Sequence, residues 1–233
     1  MALNKHYLED PTILEIGADE AGRGPLFGRV YAAAVILPKD PATEFDFSQM
    51  KDSKKFHSKK KIAQVAEYIK TNAVAWSVAY EDESVIDKIN ILQATQSAMH
   101  KAIKSCIAIA EKKALDEASA PPTIQLIIDG NYFNSMTSFD KTRGQIKVVP
   151  HVCIEGGDNK YAAIAAASIL AKVSRDTYIE DLCAENPELN EKYGILSNKG
   201  YGARRHLEGI TQYGITIWHR RSFRPCKEYG FFS

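Results

Sequence analysis

Thr12-Ile13-Leu14-Glu15-Ile16-Gly17-Ala18-Asp19-Glu20-Ala21-Gly22-Arg23-Gly24-Pro25 is the stretch on which the reading of this chain turns. Thr12 to Gly17 is apolar at Ile13, Leu14 and Ile16 and reads as a short strand. It runs directly into two acids, Asp19 and Glu20. The turn behind them is dense in residues that permit unusual backbone angles. Val30 to Leu37 is apolar almost throughout, as a central strand is. The two strands and the glycine turn between them form a hairpin-like unit.

Further along, Lys51 to Lys61 holds six lysines and leads into a helix through Tyr68 and Ile69. Ala73 to Tyr80 alternates like a strand. From Ser84 to Lys113, apolar residues at spacings of three and four predict one helix, broken by Ala118 to Pro122. Ile124 to Ile128 is an apolar strand ending at Asp129-Gly130. Lys147 to Ile154 reads as another, ending near Gly156-Gly157-Asp158. Tyr161 to Leu182 is a helix whose Ala163, Ala166 and Ala167 suit close packing on a sheet. The tail holds a loop at Leu196 to Gly202, a short helix from Ala203 to Tyr213, and Trp218 to Pro225. No repeat, low-complexity run or linker divides the chain. The expectation is one α/β domain over 1–233, with a mixed sheet and 186–233 as a C-terminal elaboration.

Composition narrows the function little. The 233 residues are 45% hydrophobic, enough for an ordinary core, and the net charge is +1, so a polyanionic partner would have to be held by local charge. Cys106, Cys153, Cys183 and Cys226 are scattered, with no C-x-x-C, and suit reduced thiols. Met1 to Pro11 has no apolar core of a signal peptide, and apolar runs of about eight residues fall short of the ~20 of a membrane span. A soluble protein of the cytoplasm, or of the nucleus in a eukaryote, is expected.

Asp19 and Glu20 follow one apolar strand, Asp129 a second, and Asp158 a third. Acids at strand ends in an α/β fold converge where sites form. Clustered carboxylates repel each other and call for a cation, and hard oxygen donors suit Mg²⁺ or Mn²⁺ over zinc. Any one of these acids is more simply a turn former or a helix cap; Asp158 in particular stands where it would cap the helix beginning near Tyr161. Spacing alone leaves the two readings level. His151, His206 and His219 lack zinc-like spacing and read as structural or phosphate-facing. Asp176 reads as a helix-surface partner of Lys172 or Arg175.

Five ordered blocks then resemble the type 2 ribonucleases H: Gly17 to Leu26 with Ala32 to Leu37; Asp52-Ser53-Lys54-Lys55; Ile128-Asp129-Gly130; Gly157-Asp158 through Asp176; and Lys199-Gly200-Tyr201-Gly202 with His219-Arg220-Arg221-Ser222-Phe223. The resemblance runs from about Ile13 to Pro225. It implies an RNase H-like fold, with a five-stranded mixed sheet flanked by helices and a helical C-terminal extension. It implies an endonuclease that hydrolyses the RNA strand of RNA–DNA hybrids and incises at single ribonucleotides in duplex DNA. Two-metal-ion catalysis would leave 5′-phosphate and 3′-hydroxyl ends. The implied metal-binding and catalytic residues are Asp19, Glu20, Asp129 and Asp158. Gly22, Arg23 and Gly24 would read the ribose, Tyr201 would stack on the next deoxyribose, and Lys54 would meet a phosphate.

The sequence departs from the family pattern at three points. Arg29 stands where proline is usual, Phe56 where leucine is, and Gly156 where a lysine before the fourth acid is common, which removes a charge near the metals. Lys51 to Lys61 and the tail's Arg204, Arg205, Arg220, Arg221, Arg224 and Lys227 form two basic clusters suited to a duplex, with Lys59 to Lys61 more simply a solvated face. The chain is expected to act as a monomer, with accessory subunits left open and Phe231-Phe232 either an aromatic anchor or a packed tail. Two rivals remain: another nuclease or recombinase on the same sheet, and a catalytically silent hybrid-binding or scaffold subunit, which would be expected to have lost an acid.

Overall fold

The computed structural model describes residues 2–40, 42–140 and 144–229; Phe231-Phe232 lie outside them. Strands β1 (Ile13–Ala21), β2 (Val30–Ile36), β3 (Ala75–Glu81), β4 (Thr123–Asp129) and β7 (His151–Ile154) form one sheet in the order β3-β2-β1-β4-β7. β2 pairs antiparallel with β1 and β3, while β4 pairs parallel with β1 and β7. The sheet is therefore mixed, as expected. Helices α1 (Lys59–Asn72) and α3 (Ala162–Glu185) cover one face and α2 (Glu83–Asp116) the other.

The period-two alternation of strands decides which side chain meets which helix. On β2, Ala33 and Val35 join the core under α1 and α3, whereas Ala32, Ala34 and Ile36 join the core under α2. Small residues let α3 lie close. A Cβ added at Gly17 would stand 2.3 Å from the backbone carbon of Ala163, so glycine is required where β1 and α3 cross.

Several elements differ from the expectation: the first strand runs on through Asp19 and Glu20 to Ala21, and the expected loop from Leu196 begins as a short helix (Ile195–Asn198). Lys147 to Ile154 is two strands, because Pro150 lacks the N–H a ladder needs. β6 (Gln145–Val148) pairs with β5 (Thr137–Asp140) in a separate two-stranded sheet, and only β7 joins the main one. The 84–113 helix runs longer and is bent at Asn90, where φ is 68° and ψ 164°. In the tail, α4 (Glu188–Tyr193), α5 (Ile195–Asn198) and α6 (Arg204–Tyr213) pack on the end of α3 around Leu26 and Phe27.

Candidate active site

Register brings the acids together. β1 and β4 are parallel neighbours with Ala18 opposite Ile128. Asp19 and Asp129 are the next residue on each strand. Asp19 lies opposite Ala33, and Asp129 is two residues beyond Ile127; both partners face α3, so both acids do as well. Asp158 sits in a 3-10 turn (Gly157–Asn159) after β7, and the backbone N–H of Gly157 donates to Asp129 Oδ1 at 2.6 Å. A Cβ at Gly157 would come within 2.6 Å of Ile164 Cδ1, so the bare backbone allows this turn to close on Asp129.

Asp19, Glu20, Asp129 and Asp158 line one cleft of about 480 Å³, with Gly22, Arg23, Gly24, Lys54 and Tyr201 on its walls. Ser53, Ser168, Lys172, Arg175, Asp176 and Lys199 are also among its lining residues. Asp158 does not cap α3, whose first turn has no side-chain cap. A second groove of about 750 Å³ beside Tyr80, Tyr178 and Trp218 is larger but holds none of these four acids. One of its two cations is engaged by rings of the groove: Arg29 lies over Tyr80 and Tyr178, 4.1 and 4.4 Å from their centroids. That stacking is the local reason for arginine in place of the usual proline.

The electrostatics of the acids are those of crowded like charges. Burial, then the charges of Glu20 and Asp129, hold Asp19 well above the usual carboxylate range, while a hydrogen bond from Ser168 pulls the other way. Ser168 is in turn 3.0 Å from Ser53, which ties the cleft to the Asp52–Lys55 turn. Burial also raises Glu20, against the pull of Arg23 at 3.2 Å, and burial followed by Asp158 raises Asp129. Lys54 opposes that rise and supplies a positive charge near Asp129, although Gly156 carries none. An all-oxygen set under mutual repulsion fits a hard divalent cation. The oxygens are not gathered into one coordination sphere: among the described residues no three acidic, histidine or cysteine side chains form a ready ion cage. Asp129 is engaged instead by the amides of Gly157 and Asp158, and Asp158 by Asn159.

Beside the acids, two of the loops that line the cleft are pressed together. A Cβ at Gly24 would be 3.4 Å from Tyr201 Cε1, and Leu26 N donates to Gly200 O at 2.8 Å. Gly22 has φ +94° and packs against the Arg175 side chain. Tyr201 is half exposed, with its ring open to the cleft.

A profile of the ribonuclease HII family matches residues 16–226. The chain belongs to the ribonuclease HII family. It is 41% identical over 222 residues to ribonuclease HII of Parabacteroides distasonis, covering 95% of each, and 40% identical over 215 residues to that of Neisseria gonorrhoeae, covering 92% and 94%. The fold is similar to that of ribonuclease H2 from Pyrococcus horikoshii, with a TM-score of 0.63 at 21% identity over 92% and 96% of the chains. It is also similar to ribonuclease HII in a PCNA complex from Archaeoglobus fulgidus, with a TM-score of 0.61 at 22% identity over 91% and 95%. Bst-RNase HIII in complex with Mn²⁺ gives a TM-score of 0.59 at 18% identity over 93% and 69%. As a member of this family, the chain is a ribonuclease H enzyme acting on RNA–DNA hybrids. The silent-subunit alternative is thereby set aside.

Three expectations need correction in this family member. The tail's arginines are not one duplex-facing patch. Arg220 is fully buried, Arg204 pairs with Glu208 at 2.7 Å, and Arg205 donates to the carbonyls of Asn190 and Glu191. The lysine cluster is divided too: Lys59 meets Glu180 at 2.7 Å and Lys51 lies over the Phe56 ring, leaving Lys54 in the cleft. In the sequence Ser168 had no assigned role and Arg175 read as a helix-surface partner of Asp176, whereas Arg175 is buried and donates to Lys199 O at 2.8 Å. The available signal for Ser168 was a polar residue inside the otherwise apolar run 162–171; Arg175 stands among polar neighbours and gave none. Asp176 pairs with Lys172 at 3.1 Å, as read from the sequence, although both also line the cleft. No helix of the described residues is long and apolar enough to cross a membrane.

Proposed function

We propose that the enzyme incises duplex DNA at single embedded ribonucleotides as well as cutting RNA in hybrids, with Asp19, Glu20, Asp129 and Asp158 holding Mg²⁺ or Mn²⁺. The observation that carries this reading is the shared cleft, which the four acids, the Gly22–Gly24 loop and Tyr201 line together. Two bound divalent cations would activate water and stabilise the leaving 3′-oxygen, giving 5′-phosphate and 3′-hydroxyl ends. The chain's own part is to bind and select. Lys54 neutralises a phosphate beside Asp129. Gly22 and Gly24 let backbone approach the sugar, whose 2′-hydroxyl distinguishes RNA from DNA. Tyr201 stacks on the following deoxyribose. Ser168 holds Asp19 in place. The enzyme works as a monomer, in the cytoplasm, or in the nucleus if its source is eukaryotic.

The test is a DNA duplex carrying one ribonucleotide, incubated with Mg²⁺ or Mn²⁺, with the cut mapped. The wild type is expected to cut once, at the ribonucleotide, while Asp129→Asn and Asp19→Asn bind hybrid but lose cleavage by at least about a thousandfold, the scale on which a lost electrostatic stabiliser acts. An enzyme that leaves this duplex intact yet cuts long hybrid ends the junction reading. Wild-type rates in both variants end the assignment of the acids.

A further inference from the structure

Arg220 lies on the tail segment before Phe223 and has no exposed surface. Its guanidinium is aimed at the underside of the Gly22–Gly28 loop. Nη2 donates to Gly22 O at 2.6 Å, Nη1 to Arg23 O at 2.9 Å and Pro25 O at 2.8 Å, and Nε to Gly28 O at 2.8 Å. The ring of Phe223 lies 5.1 Å from its carbon centre. The segment is itself anchored, since Arg220 N donates to Leu26 O at 2.8 Å and the Asp87 carboxylate accepts from Arg221 N, Ser222 N and Ser222 Oγ. Burial lowers Arg220 to about 9, so it stays charged at neutral pH.

Such an arrangement fixes more than loop position. In a planar trans peptide the C=O of one residue and the N–H of the next point in opposite directions. Drawing the carbonyls of Gly22 and Arg23 inward turns the N–H groups of Arg23 and Gly24 outward, on the loop that lines the cleft. Neither amide has an acceptor among the described residues, whereas the next amide in the loop, Leu26 N, is engaged by Gly200 O. Two free donors beside the acids match an anionic sugar–phosphate strand bearing a 2′-hydroxyl.

We propose that Arg220 is a positioning residue that sets ribose selectivity by holding the peptide planes of the Gly22–Gly24 loop, an inference that rests on the ribose reading proposed above. It touches no substrate. Lysine cannot replace it, because a single ammonium with three donors cannot span four carbonyls laid out for a planar fork.

The experiment compares wild type with Arg220→Lys. For each, kcat and KM are measured on the one-ribonucleotide duplex, and Ki for the same duplex made entirely of DNA, used as competitor. Wild type is expected to show KM well below Ki. In Arg220→Lys, Ki should stay within twofold, KM should rise at least tenfold toward Ki, and kcat should fall at least tenfold. A general loss of folded protein would lower kcat alone and leave KM/Ki unchanged. A cooperatively melting Arg220→Lys with wild-type KM/Ki overturns the inference. If that variant does not fold, amide exchange decides in the Asp129→Asn chain. Arg23 and Gly24 amides should become protected on adding the one-ribonucleotide duplex and not the all-DNA one; equal protection, or none, overturns the inference. A wild type that does not cut at the ribonucleotide overturns the ribose reading itself. A wild type that cuts while Arg220→Lys keeps its selectivity overturns the role of Arg220 alone.

Discussion

At the scale of single residues, the buried pair His206 and His219 has a hydrogen-bond order that its neighbours dictate. The backbone N–H of Thr216 donates to His219 Nδ1 at 2.9 Å, so the His219 proton sits on Nε2 and points to His206 Nε2 at 3.1 Å. His206 then carries its own proton on Nδ1 and donates to Tyr201 O at 2.9 Å. The neutral relay thus ends on the backbone of the residue proposed to stack on the substrate. Burial, and then the neighbouring His206, push His219 down to about 3, and burial lowers His206 too. Protons therefore bind the unfolded chain first. The stability gained from neutral His219 is complete above about pH 6.5 and is lost as pH falls from there toward 3. Between pH 7 and 5 this amounts to about 2 kcal/mol. Urea unfolding at both pH values is the check. His219→Gln is expected to be less stable than wild type at pH 7 but to lose roughly 2 kcal/mol less on acidification. An equal loss in the variant would show that the pair does not set the pH slope.

Among the elements, α2 carries the one strained hinge. Asn90 has φ 68° and ψ 164°, a region nearly reserved for glycine and worth about 1–3 kcal/mol of strain in other residues. Its side chain gives something back, because Oδ1 accepts from Gln93 N at 3.1 Å and caps the second half of the helix. Replacing an asparagine cap by glycine costs only a few tenths of a kcal/mol. Strain relief is the larger quantity, so Asn90→Gly is expected to raise stability by about 1 kcal/mol, and Asn90→Ala, which loses the cap and keeps the strain, to lower it. Thermal melts of the two variants check the sign; a destabilised Asn90→Gly contradicts the account. The bend was not legible in the sequence, because apolar residues stand on both sides of it, Ile86 and Ile89 before and Ile91 and Met99 after. The same holds where Lys147 to Ile154 reads as one apolar run but Pro150 sends its halves to different partners. Strands β1, β2 and β4 were legible because a strand with both faces buried must be apolar throughout. The acids were legible for the complementary reason: Asp19, Glu20 and Asp129 end apolar runs, and charge there has no core use, although the strands themselves continue through them. Arg175 and Arg220 were not, since an arginine bonding carbonyls nearly 150 to 200 residues away looks like any surface cation until the chain is folded.

Across the whole molecule, the tail after residue 185 is part of the core that shapes the cleft. Leu26 and Phe27 of the first loop, and Ile179, Leu182 and Cys183 of α3, pack with Leu189, Tyr193, Ile195, Ile210, Ile215 and Cys226 in one cluster. We therefore propose that the chain is a single domain whose described residues after 185 contribute to the substrate wall. Magnitudes decide whether 1–185 could stand without it. Exposing a large buried apolar side chain costs about 1.5–3 kcal/mol, and five such residues face the tail, against a domain stability of about 5–15 kcal/mol. Removing Arg220 also leaves four loop carbonyls without their donor. A chain ended at residue 185 is expected to show no cooperative thermal transition, to bind a hydrophobic dye and to have no measurable hybrid cleavage with Mn²⁺. Its calorimetric trace is the measurement. A sharp transition within about ten degrees of the full chain would mean that the sheet and its three large helices form a closed unit, and that the tail is an added module whose loss removes substrate binding alone.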